Sequence, residues 1–290
     1  MIKITVIGDI HGHFNTADIA TFNRSDSDLI LISGDLADFR SQDELQVADL
    51  LAQLKKPTLL IGGNHDCTSM IQFMAEIKNI TRLANRDGAG QERRVAELRE
   101  HLGPVIFAGY SCHDFVINGQ EFSVIAGRPF SPGGSEIRIR PYLRRQFAIN
   151  SGADSIQRLQ QLVDKAAHNT LIFLAHNGPS GLGSAHDDIW GCDFRAEGGD
   201  YGDPDLAAAI SYARKEGKQV VAVIAGHMHH ALANGGQRQW LQQDGDTTYI
   251  NAARVPRIFS RSGETVHHHL ALTLDGNSVT VEEMLVAERA

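Results

Sequence analysis

The chain has 290 residues, 42% of them hydrophobic and 21% charged, with a formal net charge of −8. That is enough apolar material for one large α/β domain or two small ones. It excludes a broad nucleic-acid or anionic-membrane surface, because the Lys and Arg residues form no long run that could release counterions, although single arginines could still hold a small phosphate.

Three scattered cysteines, Cys67, Cys112 and Cys192, are too few for a disulfide framework and point to a reducing compartment. No apolar run reaches about 18 residues, so no membrane-spanning helix is expected. The first residues lack the basic, apolar, small-residue order of a signal peptide. The expected address is the cytoplasm, or a plastid interior if a transit peptide has been removed.

In chain order, the β-branched run Ile2 to Ile7 predicts a buried strand, ended by Gly8-Asp9-Ile10-His11-Gly12-His13. A short helix is expected near Thr16–Phe22. The apolar run Asp28–Ser33 ends in Gly34-Asp35-Leu36-Ala37-Asp38, and helical spacing over Asp43–Leu54 stops at Pro57. Thr58–Ile61 is a third strand, ending in Gly62-Gly63-Asn64-His65-Asp66, with a helix expected over Thr68–Lys78. Strand, loop and helix repeated three times predict a largely parallel sheet, whose ligands gather at the carboxyl ends of the strands.

Farther on, Gly90–His101 reads as helix, Val105–Gly109 and Phe122–Ala126 as strands, and Gly127–Gly134 as a loop. Apolar spacing predicts an amphipathic helix over Ala153–Ala167. Leu171–Ala175 is a strand ending in His176-Asn177-Gly178-Pro179. A long loop, Ser180–Pro204, precedes a helix at Asp205–Lys215, and such loops often carry specificity. Val220–Ala225 ends in Gly226-His227-Met228-His229-His230. The tail predicts antiparallel strands at Arg238–Leu241, Thr247–Asn251, Val266–Leu274 and Ser278–Val286. These strands, over 238–286, are expected to complete a second sheet. With no repeat or linker, one domain over 1–290 is expected.

Five strands therefore deliver polar residues to their ends: Asp9 and His11; Asp35; Asn64 and His65; His176; His227 and His229. Alone, an Asp-x-His after a strand is more often a turn aspartate and a hydrogen-bonding histidine. Spacings of 35 − 9 = 26 and 64 − 35 = 29 residues each suit one βαβ unit, which would set these residues side by side. Together they suffice for two divalent cations about 3.5–4 Å apart sharing one carboxylate.

The ordered set Asp-x-His, Gly-Asp-x-x-Asp, Gly-Asn-His-Asp, a lone His after a strand and Gly-His-x-His resembles the calcineurin-like metallophosphoesterases, from Asp9 to His229. Around Arg128, His176–Gly183 and Asn251–Arg257 the chain further resembles a little-characterised branch from photosynthetic organisms. The resemblance implies a two-sheet αββα sandwich and two divalent metals (Mn, Fe or Zn). It implies that Asp9, His11 and His229 hold one metal, that Asn64, His176 and His227 hold the other, and that Asp35 bridges them. It further implies a metal-bridging hydroxide as nucleophile, His65 as the outer cation and general acid, and Asp38 orienting His65 and raising its pKa.

The resemblance implies a phosphatase or phosphodiesterase acting on a small-molecule or nucleotide phosphoester. Two alternatives stand beside it: a Ser/Thr-type protein phosphatase, and a catalytically silent metal-binding scaffold such as a retromer subunit of the superfamily. The protein phosphatases carry a phosphate-clamping arginine after the second Asp of Gly-Asp-x-x-Asp. Here that position is Phe39, with Arg40 next, which favours small substrates. Asn64, Arg128, Arg254 and Arg257 are candidate substrate contacts, the arginines being equally readable as surface or packing residues. His267–His269 read as structural, since alternation along a strand sends them to opposite faces. Asp203 reads as a helix cap, Asp66 as a loop support and Cys67 as a packed thiol.

Overall fold

Every apolar run that leads to a candidate residue is buried on both faces, and its position in the molecule explains why. The computed structural model describes residues 1–39, 41–78 and 80–288. Its first sheet runs β11 (Ile258–Arg261), β12 (Glu264–Asp275), β1 (Ile2–Ile7), β2 (Leu29–Ile32), β3 (Thr58–Ile61), β4 (Ile106–Ala108), with β13 (Ser278–Ala287) paired to β12. The second runs β5 (Ser111–Ile117), β6 (Gln120–Ala126), β7 (Thr170–Leu174), β8 (Gln219–Ala225), β10 (Thr247–Asn251), β9 (Leu241–Asp244). Pairs β1–β2, β2–β3, β3–β4, β6–β7, β7–β8 and β8–β10 are parallel.

Period-two alternation sorts the side chains into layers. Ile4, Val6, Leu29, Leu31, Leu59 and Ile61 of the first sheet pack against Val124, Ile172, Leu174 and Ile224 of the second, forming the seam between them. The intervening Ile30, Ile32, Leu60, Leu171 and Phe173 face outward into a core shared with the helices. Those helices are α1 (Thr16–Arg24), α2 (Ser41–Leu51), α3 (Met70–Ile77), α4 (Thr81–Leu102), α5 (Arg140–Phe147), α6 (Gly152–Lys165) and α7 (Pro204–Lys215). The arrangement is the expected two-sheet sandwich flanked by helices. Capping boxes start two of them: Asn15 with Asp18 on α1, and Ser151 with Asp154 on α6. Among the described residues no helix is long and apolar enough to cross a membrane.

The structure corrects the tail. Its strands do not all complete the second sheet: β9 and β10 do, but β11–β13 join the first, and β10 runs parallel to β8. β12 covers the edge of β1 opposite β2, matching Ile2↔Leu274 to Val6↔Leu270, and so satisfies a ladder that would otherwise lie open beside the core. The expected strand at Arg238–Leu241 begins only at Leu241, because Arg238 is tied into the loop before it. Three elements lie outside the sequence expectation. β5 is a half-exposed edge strand whose apolar alternation is diluted by Cys112, His113 and Asp114, although the Asn118-Gly119 turn, with φ of 52° and 76°, marks the hairpin. α5 is mostly polar, and β11 is only 4 residues long. Helix α4 also starts earlier than expected, at Thr81, carrying Gly88 and Gly90 within it.

Candidate metal centre

The five loops after β1, β2, β3, β7 and β8 converge at one end of the sandwich. They approach so closely that the glycines flanking the candidate residues leave no room for a side chain. A Cβ on Gly63 would stand 2.2 Å from Asp35 Oδ1, and one on Gly226 would stand 2.1 Å from Asp9 Oδ1. Three candidate residues themselves adopt left-handed backbone conformations: His11 (φ 44°), Asp35 (φ 49°) and His227 (φ 67°). Non-glycine residues hold such angles only where their surroundings over-determine them, as at functional sites.

Three groups of donor atoms result among the described residues: His11, Asp38 and His65 form one, and two more lie beside it. In one, Asp9, His11 and His229 bring their ligand atoms within 4.8 Å of one another; in the other, Asp35, His176 and His227 do the same. Asp35 reaches both: its Oδ2 lies 3.7 Å from His11 Nε2 and 3.5 Å from His176 Nε2. Asp9 is buried and accepts the His227 amide at 3.0 Å, while its Oδ2 lies 3.6 Å from His229 Nε2.

The hydrogen bonds around the two groups decide whether metals fit. His176 Nδ1 donates to the Ser33 carbonyl at 2.7 Å, so in the neutral ring Nε2 carries a lone pair. That lone pair faces Asn64 Oδ1 at 2.9 Å and Asp35 Oδ2 at 3.5 Å. Likewise His11 Nδ1 is held by Asp38 Oδ1 at 2.5 Å, and its buried Nε2 has no hydrogen-bond partner among the described residues. With both rings neutral these lone pairs face oxygen lone pairs, which is unfavourable unless a cation sits among them. Without a metal, at His11 that cation is the ring proton itself: burial lowers the His11 pKa, but Asp35, Asp9 and Asp38 outweigh it and raise it. An imidazole fixed by a carboxylate or carbonyl through its other nitrogen is the usual outer shell of a metal ligand. The residues fit two divalent cations.

With the protein's own charges alone, burial raises the Asp35 carboxyl, but His176, His65 and His11 outweigh it and hold Asp35 well below the usual range. Burial also drives His227 well below an ordinary histidine, with His176 adding to the effect. His65 departs from expectation. Burial lowers its pKa and His11 and His176 add to the fall; the opposing pulls of Asp35 and Asp38 do not reverse it. Asp38 is nearer to His11, at 2.5 Å, than to His65 Nδ1, at 3.4 Å. The ring of His65 is instead fixed by Phe39, stacked at 3.9 Å between centroids and tilted 24°. Arg40 lies outside the described residues.

The loops are braced from behind by residues of no expected catalytic role. Asp66 accepts the Leu36 and Gly63 amides at 2.7 and 2.8 Å, linking the loops that carry Asp35 and Asn64. Glu44, pushed up to about 7 by burial, accepts the Cys67 amide at 2.8 Å, and the buried Cys67 thiol is raised well above its ordinary value.

The arginine candidates are not brought to this centre. Arg128 is buried between Asp203 at 2.9 Å and Asp205 at 3.0 Å. Asp203 occupies the N-cap position of α7, yet its carboxylate serves Arg128, Ser131 and Asn177 rather than the helix amides. Arg257 is buried on Asp18 at 2.9 Å, and Arg254 pairs with Glu283 at 2.7 Å and lies over the Phe259 ring. Arg128 and Arg257, removed from water, need such counter-charges, whereas Arg254 is partly exposed and pairs with Glu283 at the surface. His267 faces Asp18 and His268 faces Glu283, as alternation requires.

A cavity of about 780 Å³ opens beside Asn64, His65, His227 and His229. Its remaining walls come from Phe73, from the 132–138 segment and from Asp193, Phe194, Arg195 and Tyr201 of the long loop. The sequence points to the loop walls only at the level of loops 110–135 and 180–204, and not by residue.

The calcineurin-like phosphoesterase family profile matches residues 2–231. The chain belongs to the calcineurin-like phosphoesterase family. No curated protein matches it. One solved crystal structure shares 12% identity and aligns over 97% of this chain and 98% of its own, with a TM-score of 0.55, which is a likeness of fold. A metallophosphoesterase from Sphaerobacter thermophilus aligns over 98% of this chain and 88% of its own at 12% identity, TM-score 0.37. Vps29 from Chaetomium thermophilum covers both chains fully at 12% identity, TM-score 0.33. The last two are too distant in shape to carry an argument. In this member of the family the residues of the ordered motifs read from the sequence are the ones that meet at the strand ends.

Proposed function

We propose that this phosphoesterase is a two-metal hydrolase of small-molecule or nucleotide phosphoesters. The observation that carries the reading is the pair of donor groups joined through Asp35 Oδ2, within 3.7 Å of His11 and 3.5 Å of His176. Asp9, His11 and His229 would hold one cation, Asn64, His176 and His227 the other, and Asp35 both. When bound, such cations supply Lewis-acid stabilisation of charge on a phosphoryl group.

The chain's own groups supply the rest. Asn64 is a neutral oxygen ligand that keeps the ligand set from becoming too anionic for phosphate. His65 lines the cavity with its ring held flat by Phe39, and it is the group placed to pass a proton to a leaving oxygen. Burial holds its pKa down, with His11 and His176 adding to the fall, so an arriving phosphate anion is what would stabilise the imidazolium at the moment it is needed. Asp38 steadies His11 first and His65 second. Phe39 replaces a phosphate-clamping arginine with an aromatic ring, which favours a small substrate over a phosphoprotein.

The test is metal analysis of the purified chain together with hydrolysis of nitrophenyl mono- and diesters under added Mn²⁺. Two metals per chain and turnover of either ester are expected. Two metals without turnover of any ester would make the chain a binding scaffold, and fewer than two would break the two-cation reading.

A further inference from the structure

The cavity wall contributed by the long loop carries an aromatic surface that hydrolysis at the metal centre does not require. Phe194 is 54% exposed and lines the cavity. Its ring meets Tyr201 edge-on, with centroids 4.9 Å apart at 85°, which fixes one edge. Tyr201 in turn lies nearly parallel to His227, at 6.4 Å and 12°, so the aromatic surface continues to the metal centre. Arg195 stands over both rings, 5.1 Å from the centroid of Tyr201 and 5.9 Å from that of Phe194, and donates to the Tyr201 hydroxyl at 3.3 Å.

This surface is built rather than incidental. The Tyr201 carbonyl accepts from the Gly134 amide at 2.8 Å and from Asn177 Nδ2 at 2.9 Å, tying it to the residue after His176. Gly133 has no side chain at the point where a Cβ would stand 2.5 Å from the Tyr201 ring, so the 132–134 turn is shaped around that ring. Phe194 is left half open to water on a surface otherwise preorganised by hydrogen bonds.

Such a surface suits a flat π-system, which gains from offset stacking and from a guanidinium above the ring. An acyl chain would need an apolar channel, whereas here Glu136, Arg138, Asp193 and Arg195 share the wall. Asp193 is held by Arg238 and the Ala233 amide, and Arg138 pairs with Glu136. The edge of a heterocycle would therefore meet the remaining hydrogen-bonding capacity of Glu136 and Arg195. About 780 Å³ falls within the range of small-ligand sites. We infer that Phe194, Tyr201 and Arg195 form a base-stacking subsite, and that the substrate is a nucleotide phosphoester whose base lies on Phe194. The inference rests on the phosphoesterase reading for the phosphoryl end only.

Phosphate-free probes separate the two ideas. Binding of adenosine, ribose and 1-hexanol to the full chain with Mn²⁺ added is followed by NMR titration. Adenosine should bind roughly 10–100-fold more tightly than ribose, the usual worth of one stacked base. Phe194→Ala should remove that preference, and because the ring is half exposed its loss leaves no core void. Phe194→Trp should retain it. Equal binding of adenosine and ribose overturns the subsite, as does 1-hexanol binding as tightly as adenosine, or a preference that survives Phe194→Ala. A base preference in a chain that hydrolyses no ester leaves the subsite standing and the hydrolase fallen. Ester hydrolysis without a base preference does the reverse.

Discussion

The two sides of the cavity are built by different means. The metal-centre side comes from the ends of parallel strands, where a few residues of sequence follow immediately on a hydrogen-bonded ladder. The opposite contribution comes from the 132–138 segment and the 193–201 stretch, which belong to no long element. In the first, a ligand's position follows from the register of its strand, as with Ile7↔Ile32 just before Asp9 and Asp35. In the second, position depends on single contacts such as Tyr201 against Gly133. Rigid strands suit a reaction that tolerates little misplacement, while loops can change specificity without disturbing it.

The largest effect expected is at the strand ends. Asp35→Asn should lose metal stoichiometry and lower turnover by about 10³-fold or more, since one carboxylate faces both ligand groups. Full activity with two metals per chain would remove the bridging role. His65→Ala tests whether the same edge separates binding from chemistry. Metal content should stay whole while turnover falls roughly 10²–10⁴-fold. Alkyl esters should suffer most, and nitrophenyl esters least, because their leaving oxygen hardly needs a proton. Loss of a metal, or equal slowing of both esters, would withdraw the general-acid role.

Arg128 sharpens the comparison from behind the loops. Arg128→Met would leave Asp203 and Asp205 without their buried counter-ion. Burial already holds Asp203 up at about 6 despite the arginine. The expected cost is about 3–5 kcal/mol of stability, read as a lower melting temperature at unchanged metal content. A variant of normal stability with a raised KM would instead return Arg128 to the substrate.

The smallest effect expected is at His269. Burial lowers His269 from 6.5 to about 4, and nearby Arg257 adds to the shift. Its contribution to stability is therefore complete above about pH 6.5 and drains away as pH falls toward about 4, where the unfolded chain takes a proton that the folded one refuses. At about pH 5 the loss is roughly 2 kcal/mol. His269→Leu should flatten that part of the acid-unfolding curve; an unchanged curve would mean that this histidine is not buried neutral.

What could be read without the fold follows the same division. Strands β1, β2, β3, β7 and β8 announce themselves as continuous apolar runs because both faces are covered. The runs of β1, β2, β3 and β8 end in glycine beside a ligand-type residue, and after β7 Ala175 takes that place before His176. The seven candidate metal ligands and His65 stand out as candidates for that reason, and the structure brings them to one end of the sandwich. β5, α5 and β11 were not, because half-exposed edges and polar helices carry little periodic contrast. Nor was the distribution of the tail between two sheets, since pairing partners far apart in sequence leave no local trace. Residue types alone placed Arg128, Arg254 and Arg257 among possible phosphate contacts. Only the tertiary structure shows Asp203, Asp205, Glu283 and Asp18 already beside them. The same holds for Phe39 and Asp38: the sequence names the residue after each motif, but which imidazole Asp38 touches, and that Phe39 lies on His65, depends on loops meeting across the sheet. Strand chemistry is local and repeats every second residue, so it can be read along the chain. The choice of counter-ion or stacking partner is made in three dimensions, by whatever the fold leaves within a few ångströms.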